Sequence, residues 1–140
     1  MTDKIIHILL ADDDIEDQDI LKNAIVQLNP ALVITTVFNG SEALEYLVNC
    51  STDKLPALII LDYKMPVLNA VEVLERLQSY TQFKVIPKVV WSTSFQEEHI
   101  RLCMERGASH YFKKPFNETE LAAVAKQMLA YIPELLSQGK

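Results

Sequence analysis

Apolar residues in this chain fall into five short runs, and between the runs the apolar positions recur at helical spacing. The central run, Ala57 to Leu61, reads Ala-Leu-Ile-Ile-Leu with no polar alternation, which marks a strand covered on both faces inside a parallel sheet. Ile5 to Ala11, Leu32 to Val37, Val85 to Trp91 and Ser109 to Phe112 supply four further β-rich runs. Pro87 and Lys88 interrupt the fourth near its start, where proline is tolerated.

The intervening segments carry helix signals. Leu21, Ala24, Ile25 and Leu28 stand at i, i+3, i+4 and i+7, with Asp14 as a helix-capping residue ahead of them and Pro30 behind. Asn39 with Glu42, Asn69 with Glu72, Ser94 with Glu97 and Asn117 with Glu120 each repeat the capping-box spacing. Gly107 predicts the end of the fourth helix, Phe116 and Leu121 predict a staple at the start of the fifth, and Pro133 ends the regular pattern. Five strand–helix pairs in strict alternation predict an α/β fold, a parallel sheet with helices on both faces. The chain reads as one domain, residues 1–140, with its core from about Ile5 to Ile132 and a short tail from Pro133.

Charge and cysteine usage narrow the function. Thirteen Lys and Arg against nineteen Asp and Glu give a formal charge of −6, and the one adjacent basic pair is Lys113–Lys114, so neither nucleic acid nor an anionic membrane is an expected partner. Cys50 and Cys103 form no Cys-x-x-Cys and read as reduced structural thiols. With no apolar stretch long enough to span a bilayer and no signal-peptide pattern at Met1 to Lys4, a soluble cytoplasmic protein is expected.

In an open α/β sheet, chemistry collects at the carboxyl ends of the strands. There the chain places Asp12 and Asp13 after the first strand, Asp62 after the third, Ser92 and Thr93 after the fourth, and Lys114 after the fifth. If the first and third strands are neighbours, three carboxylates converge within roughly 5 Å, at about 3 kcal/mol per ionised pair for an effective dielectric near 20. A hard cation such as Mg²⁺ suits such an all-oxygen set, and Lys114 neutralises a further oxygen. A carboxylate beside Mg²⁺, a lysine and a hydroxyl is a good acceptor for a phosphoryl group. Asp62, alone on the central strand, is the expected nucleophile, while the Asp12–Asp13 pair is suited to sharing the metal.

Asp12-Asp13, Leu-Asp62-Tyr-Lys-Met-Pro66, Ser92 after an apolar strand, and Gly107-Ala108-Ser109 leading to Lys114-Pro115-Phe116 together resemble the receiver domain of bacterial two-component response regulators, over about Ile5 to Ile132. The resemblance implies a flavodoxin-like (βα)5 fold with strand order 2-1-3-4-5. It implies phosphotransfer to Asp62 from a histidine kinase or phosphotransfer protein, by a phosphoacceptor that promotes its own phosphotransfer and slow autodephosphorylation instead of acting as an enzyme on other molecules. It implies Mg²⁺ bound by Asp13, Asp62 and the backbone carbonyl of Lys64, with Asp12 acting through metal-bound water, and a phosphoryl group gripped by Ser92 and Lys114. Tyr111 matches the switch aromatic that turns inward as the hydroxyl residue moves, which changes the face made by the fourth helix, fifth strand and fifth helix, the face through which a homodimer would form. The Lys114–Pro115 bond is often cis in that family. The polar insertion before Pro56 and the Ser92-Thr93-Ser94 run resemble single-domain regulators paired with phytochrome-type kinases.

Some positions depart from the family pattern. Ala70 stands where glycine is usual, which implies a stiffer or differently turned loop, and Thr93 where alanine or glycine is common. Lys64 is expected to slow hydrolysis by covering the phosphoryl group. Asp14 and Ser94 are explained by helix capping, and Trp91 by the core. His7, His99 and His110 have no metal-ligand spacing and read as structural or surface residues. Two other functions compete. A haloacid-dehalogenase-type phosphatase would use Asp12 as nucleophile and Asp14 as second acid, but Ile15 and Glu16 replace the usual Gly-Thr or Gly-Ser. A degenerate receiver would serve only as a protein-binding module, against which the intact acids and Lys114 argue. The downstream protein partner is not legible.

Overall fold

The computed structural model describes residues 4–138, with side chains described through Leu135. Five parallel strands, β1 (His7–Ala11), β2 (Val33–Val37), β3 (Leu58–Asp62), β4 (Lys88–Ser92) and β5 (His110–Lys113), lie in the order β2-β1-β3-β4-β5. This is the expected doubly wound sheet, and its order reverses between β1 and β3. Leu10 pairs with Ile60 and Asp62 with Trp91, so the polar residues after Ala11 and those ending β3 and β4 emerge at the same edge.

Alternation within the strands divides the core into two layers. Ile8, Leu10, Ile60, Trp91 and Phe112 face α1 (Ile15–Leu28) and α6 (Glu118–Leu129), while Leu9, Ala11, Ile59, Leu61, Val90 and Tyr111 face α2 (Gly40–Asn49), α3 (Ala70–Leu77) and α5 (Glu97–Glu105). Every residue of β3 is buried. Each of its Leu and Ile side chains contributes about 2 kcal/mol by leaving water. Asp62 at the end of the same strand has the opposite sign and requires partners.

Caps fix how the helices enter the sheet edge. Asp14 accepts from the amides of Glu16 and Asp17, Asn69 and Glu72 form a complete capping box, and Asn39 and Asn117 accept from the third helical amide. Gly107, at φ +104°, closes α5: its amide bonds to the Met104 carbonyl and that of Ala108 to the Cys103 carbonyl, the paired arrangement a left-handed glycine permits. Gly40 is required for space. A Cβ there would overlap the Leu68 carbonyl oxygen and stand 2.7 Å from Val73 Cγ2, so α2 lies directly against the β3–α3 loop.

Several local expectations are corrected. Ser94 does not cap α5; Gln96 occupies that position without a side-chain bond, and the Ser94 hydroxyl is engaged with His99 instead. The Phe116–Leu121 staple does not form, because Phe116 is 87% exposed. Pro133 begins α7 (Pro133–Gln138) instead of opening an irregular tail. The run from Val85 is not all strand: a short helix, α4 (Thr81–Lys84), ends at Val85, and β4 starts only at Lys88. A 3₁₀ turn, Thr52–Lys54, occupies the polar insertion before Pro56. No peptide bond among the described residues is cis, Lys114–Pro115 included.

Candidate functional site

The switch point between β1 and β3 brings together most of the residues singled out from the sequence. One carboxylate oxygen each from Asp12, Asp13 and Asp62 lie within 4.8 Å of one another, with Asp12 and Asp62 buried and Asp13 exposed. The Asp12 backbone continues the ladder, its amide bonding to the Val37 carbonyl at 3.1 Å, and its Oδ1 accepts from the Asp14 amide at 2.9 Å. Asp14 is consumed in capping α1, which leaves it unavailable as the second acid of a phosphatase.

Lys114 crosses this cluster from the β5–α6 loop. Its amide donates to the Ser92 carbonyl at 2.8 Å, tying the loop to the end of β4. Its ammonium stands 2.9 Å from Asp12 Oδ2, 2.8 Å from Asp17 Oδ2 and 3.4 Å from Asp62 Oδ1. It also lies 4.9 Å from the centroid of the Trp91 ring, within cation–π range. Burial pushes the Asp62 carboxyl up to about 8 from an ordinary 3.8; the neighbouring Asp12 charge adds to the rise and Lys114 opposes it. Burial likewise raises Asp12, against its Asp14 amide bond and Lys114. For Lys114, burial lowers basicity, but the Asp17 hydrogen bond and the charges of Asp62 and Asp12 outweigh it and hold the ammonium above its usual range.

The donor set fits a hard divalent cation. Three carboxylates from two adjacent strands converge on one point, all ligands are oxygen, and the buried Asp12 Oδ2 has no geometrically satisfactory hydrogen bond. A single ammonium shared among Asp12, Asp17 and Asp62 leaves net negative charge that a cation would offset.

The loop after Asp62 has an unusual backbone. The Leu68 amide donates to the Pro66 carbonyl at 2.8 Å across Val67, which sits at φ +70° and is 72% exposed. This is a γ-turn of the rare positive-φ kind, costing of order 1–3 kcal/mol for a β-branched residue. Ala70 carries none of that strain: it is the first residue of α3, fully buried, with its amide on the Tyr63 carbonyl. The glycine-to-alanine departure is absorbed by helix geometry, and the sharp turn falls at Val67.

At the end of β4, Ser92 Oγ accepts from the Ser94 amide at 3.0 Å, and the buried Tyr111 donates its hydroxyl to the Ser94 carbonyl at 2.6 Å. Tyr111 thus already lies inward beneath the β4–α5 loop. Thr93 and Lys64 are exposed. His99 closes the loop from α5, with Nδ1 2.9 Å from Ser94 Oγ and its ring stacked on Tyr63 at 4.1 Å and 16°. Its two partners tie the start of α5 to the residue that follows Asp62 in the chain. Cys103 is a buried free thiol, which burial pushes up to about 12, and Cys50 is a half-buried one.

Three site neighbours lay outside the sequence reading: Asp17 on Lys114, Gln18, and His99 on Tyr63. Gln18 is buried and donates from Nε2 to the carbonyls of Asp12 and Val37, 2.7 Å each. A polar residue at a core position of α1 was the available signal for Gln18. For Asp17 there was none, because its partner is 97 residues away.

A doubly wound parallel sheet with a lysine-bridged acidic cluster at its switch point defines a phosphotransfer-signalling class of protein. The chain belongs to the response regulator receiver domain family, whose profile matches residues 8–126. Receiver domains bind Mg²⁺ at such an acidic pocket and interact with histidine kinases or phosphotransfer proteins. The two-component response regulator ORR3 of Oryza sativa subsp. indica is 30% identical over 123 residues, covering 88% of this chain and 90% of that protein. Among solved structures, the phosphorylated cyanobacterial phytochrome response regulator RcpA is similar with TM-score 0.82 and 29% identity, over 91% of this chain and 94% of that one. The Mn²⁺-bound form of response regulator Rcp1 shares the fold with TM-score 0.79 at 23% identity, covering 91% and 95%. The phosphatase alternative is not favoured by any of these. Among the described residues, no helix is long and apolar enough to cross a membrane.

Proposed function

We propose that Asp62 is the phosphoacceptor of this response regulator receiver domain. The supporting observation is the position of its carboxylate: at the end of a fully buried central strand, 3.4 Å from the Lys114 ammonium and grouped with Asp12 and Asp13. In the transfer an Asp62 oxygen bonds to phosphorus as the N–P bond of a donor phosphohistidine breaks, and the departing imidazole nitrogen takes up a proton. Lys114 neutralises charge on the phosphoryl oxygens, and Ser92 Oγ gives up the Ser94 amide to donate to one of them. Asp13, Asp62 and the Lys64 carbonyl would hold Mg²⁺, with Asp12 beside them in the same acidic cluster, and the bound metal would supply the charge that keeps Asp62 ionised despite burial.

The donor is a histidine kinase or phosphotransfer protein. Movement of Ser92 alters the Ser94 carbonyl on which Tyr111 rests, and so the α5–β5–α6 face that meets a protein partner or a second copy in the cytoplasm. Slow autodephosphorylation, with Lys64 shielding the phosphoryl group, returns the protein to its starting state. The likeness to RcpA supports a phytochrome-type kinase as donor.

Incubation with Mg²⁺ and acetyl phosphate, followed by intact-mass and peptide mapping, tests this reading. A single adduct on Asp62, lost in Asp62→Asn and on chelation of the metal, is expected. An adduct on Asp12 overturns the assignment, and none at all supports the binding-module reading. An unchanged rate of phosphate loss in Lys64→Ala removes that side chain from the mechanism.

A further inference from the structure

The Lys114 ammonium makes its shortest contact with Asp17, not with the carboxylate it is expected to serve: 2.8 Å to Asp17 Oδ2 against 3.4 Å to Asp62 Oδ1. Asp17 cannot easily follow a moving lysine. It sits in the first turn of α1, which is held by the Asp14 cap and by the two Gln18 bonds to the Asp12 and Val37 carbonyls. The Lys114 backbone is equally fixed, by its amide bond to Ser92. What can move is the tip of the Lys114 side chain, and every oxygen within its reach competes for the same three N–H groups.

We propose that Asp17 is a positioning residue that holds the Lys114 ammonium toward α1, so that a phosphoryl group on Asp62 must compete with Asp17 for that charge. This inference rests on the reading of Asp62 as phosphoacceptor, and it adds a determinant of how tightly the site holds a phosphoryl group. Asp17 lowers that affinity in two ways. It occupies one N–H of Lys114, and its negative charge repels an incoming phosphoryl group from the helix side. The same contact makes the first turn of α1 sensitive to occupancy, because Lys114 bridges the Asp17 carboxylate to those of Asp12 and Asp62.

Asp17→Asn keeps an oxygen acceptor in place and removes the charge; Asp17→Glu restores the charge. The measurement is titration of the purified protein with beryllofluoride, a phosphoryl mimic, in excess Mg²⁺, followed by Trp91 fluorescence; the Lys114 ammonium lies over that indole, the single tryptophan of the chain. Half-saturation about fivefold lower in Asp17→Asn, from the ~1 kcal/mol scale of a partly exposed ion pair, with Asp17→Glu returning toward the parent, is the expected result. Unmodified emission should also differ between parent and Asp17→Asn before metal or beryllofluoride is added, with urea midpoints confirming that both are folded. Equal or higher half-saturation in Asp17→Asn overturns the proposal. If the parent itself neither binds beryllofluoride nor accepts phosphate on Asp62, the phosphoacceptor reading has failed; unchanged metal-free emission in Asp17→Asn then overturns the Asp17–Lys114 contact on its own evidence.

Discussion

Two lysines, one at each end of the sheet, have met burial in opposite ways. Lys88 begins β4 at the amino edge, is 7% exposed, and donates from Nζ to the carbonyls of Phe83 at 2.6 Å and Ile86 at 2.9 Å, just where α4 ends. Lys114, at the carboxyl edge, donates to the Asp17 carboxylate and forms ion pairs with Asp12 and Asp62. Burial lowers the basicity of Lys88, since neutral carbonyls return only part of the lost hydration. The same penalty on Lys114 is overcome by Asp17, Asp62 and Asp12. The contrast separates scaffold from site: Lys88 satisfies dipoles at a helix end, whereas Lys114 balances a surplus of negative charge that the fold creates and does not itself neutralise.

The sharpest way to break this comparison is to remove each ammonium in turn. Lys114→Met leaves buried carboxylates without a counter-charge and is expected to cost about 3 kcal/mol in urea unfolding at pH 8. The loss should shrink near pH 5, where Asp62 can protonate, and should be largely recovered by Mg²⁺. A loss independent of both pH and metal would show that Lys114 acts by packing alone.

A second effect comes from the carboxylates. With its folded-state value near 8 and an unfolded value near 4, Asp62 binds a proton in the native state that the unfolded chain has released. Metal-free stability should therefore fall as pH rises from about 4 to about 8 and level off above that, and Asp12 acts in the same direction. Melting curves in EDTA across that interval check the slope, and saturating Mg²⁺ should flatten it.

The smallest effect belongs to Lys88. Lys88→Met gives up two bonds to carbonyls but removes a buried charge, and the two nearly cancel, to within about 1 kcal/mol. A loss as large as that of Lys114→Met would abolish the distinction drawn between the two ends.

Much of this was legible in the order of residues. Ala57 to Leu61 announced the central strand because nothing polar interrupts it, and Asp14, Asn39, Asn69 and Asn117 announced their helices because a short polar side chain followed by acids has one favourable use there. The carboxyl-edge cluster followed from alternation alone, since parallel strands end on the same side. Short elements were hidden. Thr81–Lys84 and Pro133–Gln138 are too brief to show a stripe, and the apolar Val85-Ile86 ahead of Pro87 imitated the start of a strand. Ser94 carried a capping signature, yet α5 begins two residues later and the hydroxyl meets His99. The role of Asp17 depends on how far a lysine across the sheet can reach, a distance that no local pattern contains.

The stack of His99 on Tyr63 has a spectroscopic consequence. With the rings 4.1 Å apart and nearly parallel, the His99 ring protons lie within the shielding cone of Tyr63, so their resonances are displaced upfield. That displacement depends steeply on separation and tilt, and Tyr63 follows Asp62 directly in the chain. The His99 signals therefore give the protein a built-in proton NMR gauge of the distance between the β3–α3 loop and the start of α5, readable without an attached label or an altered residue.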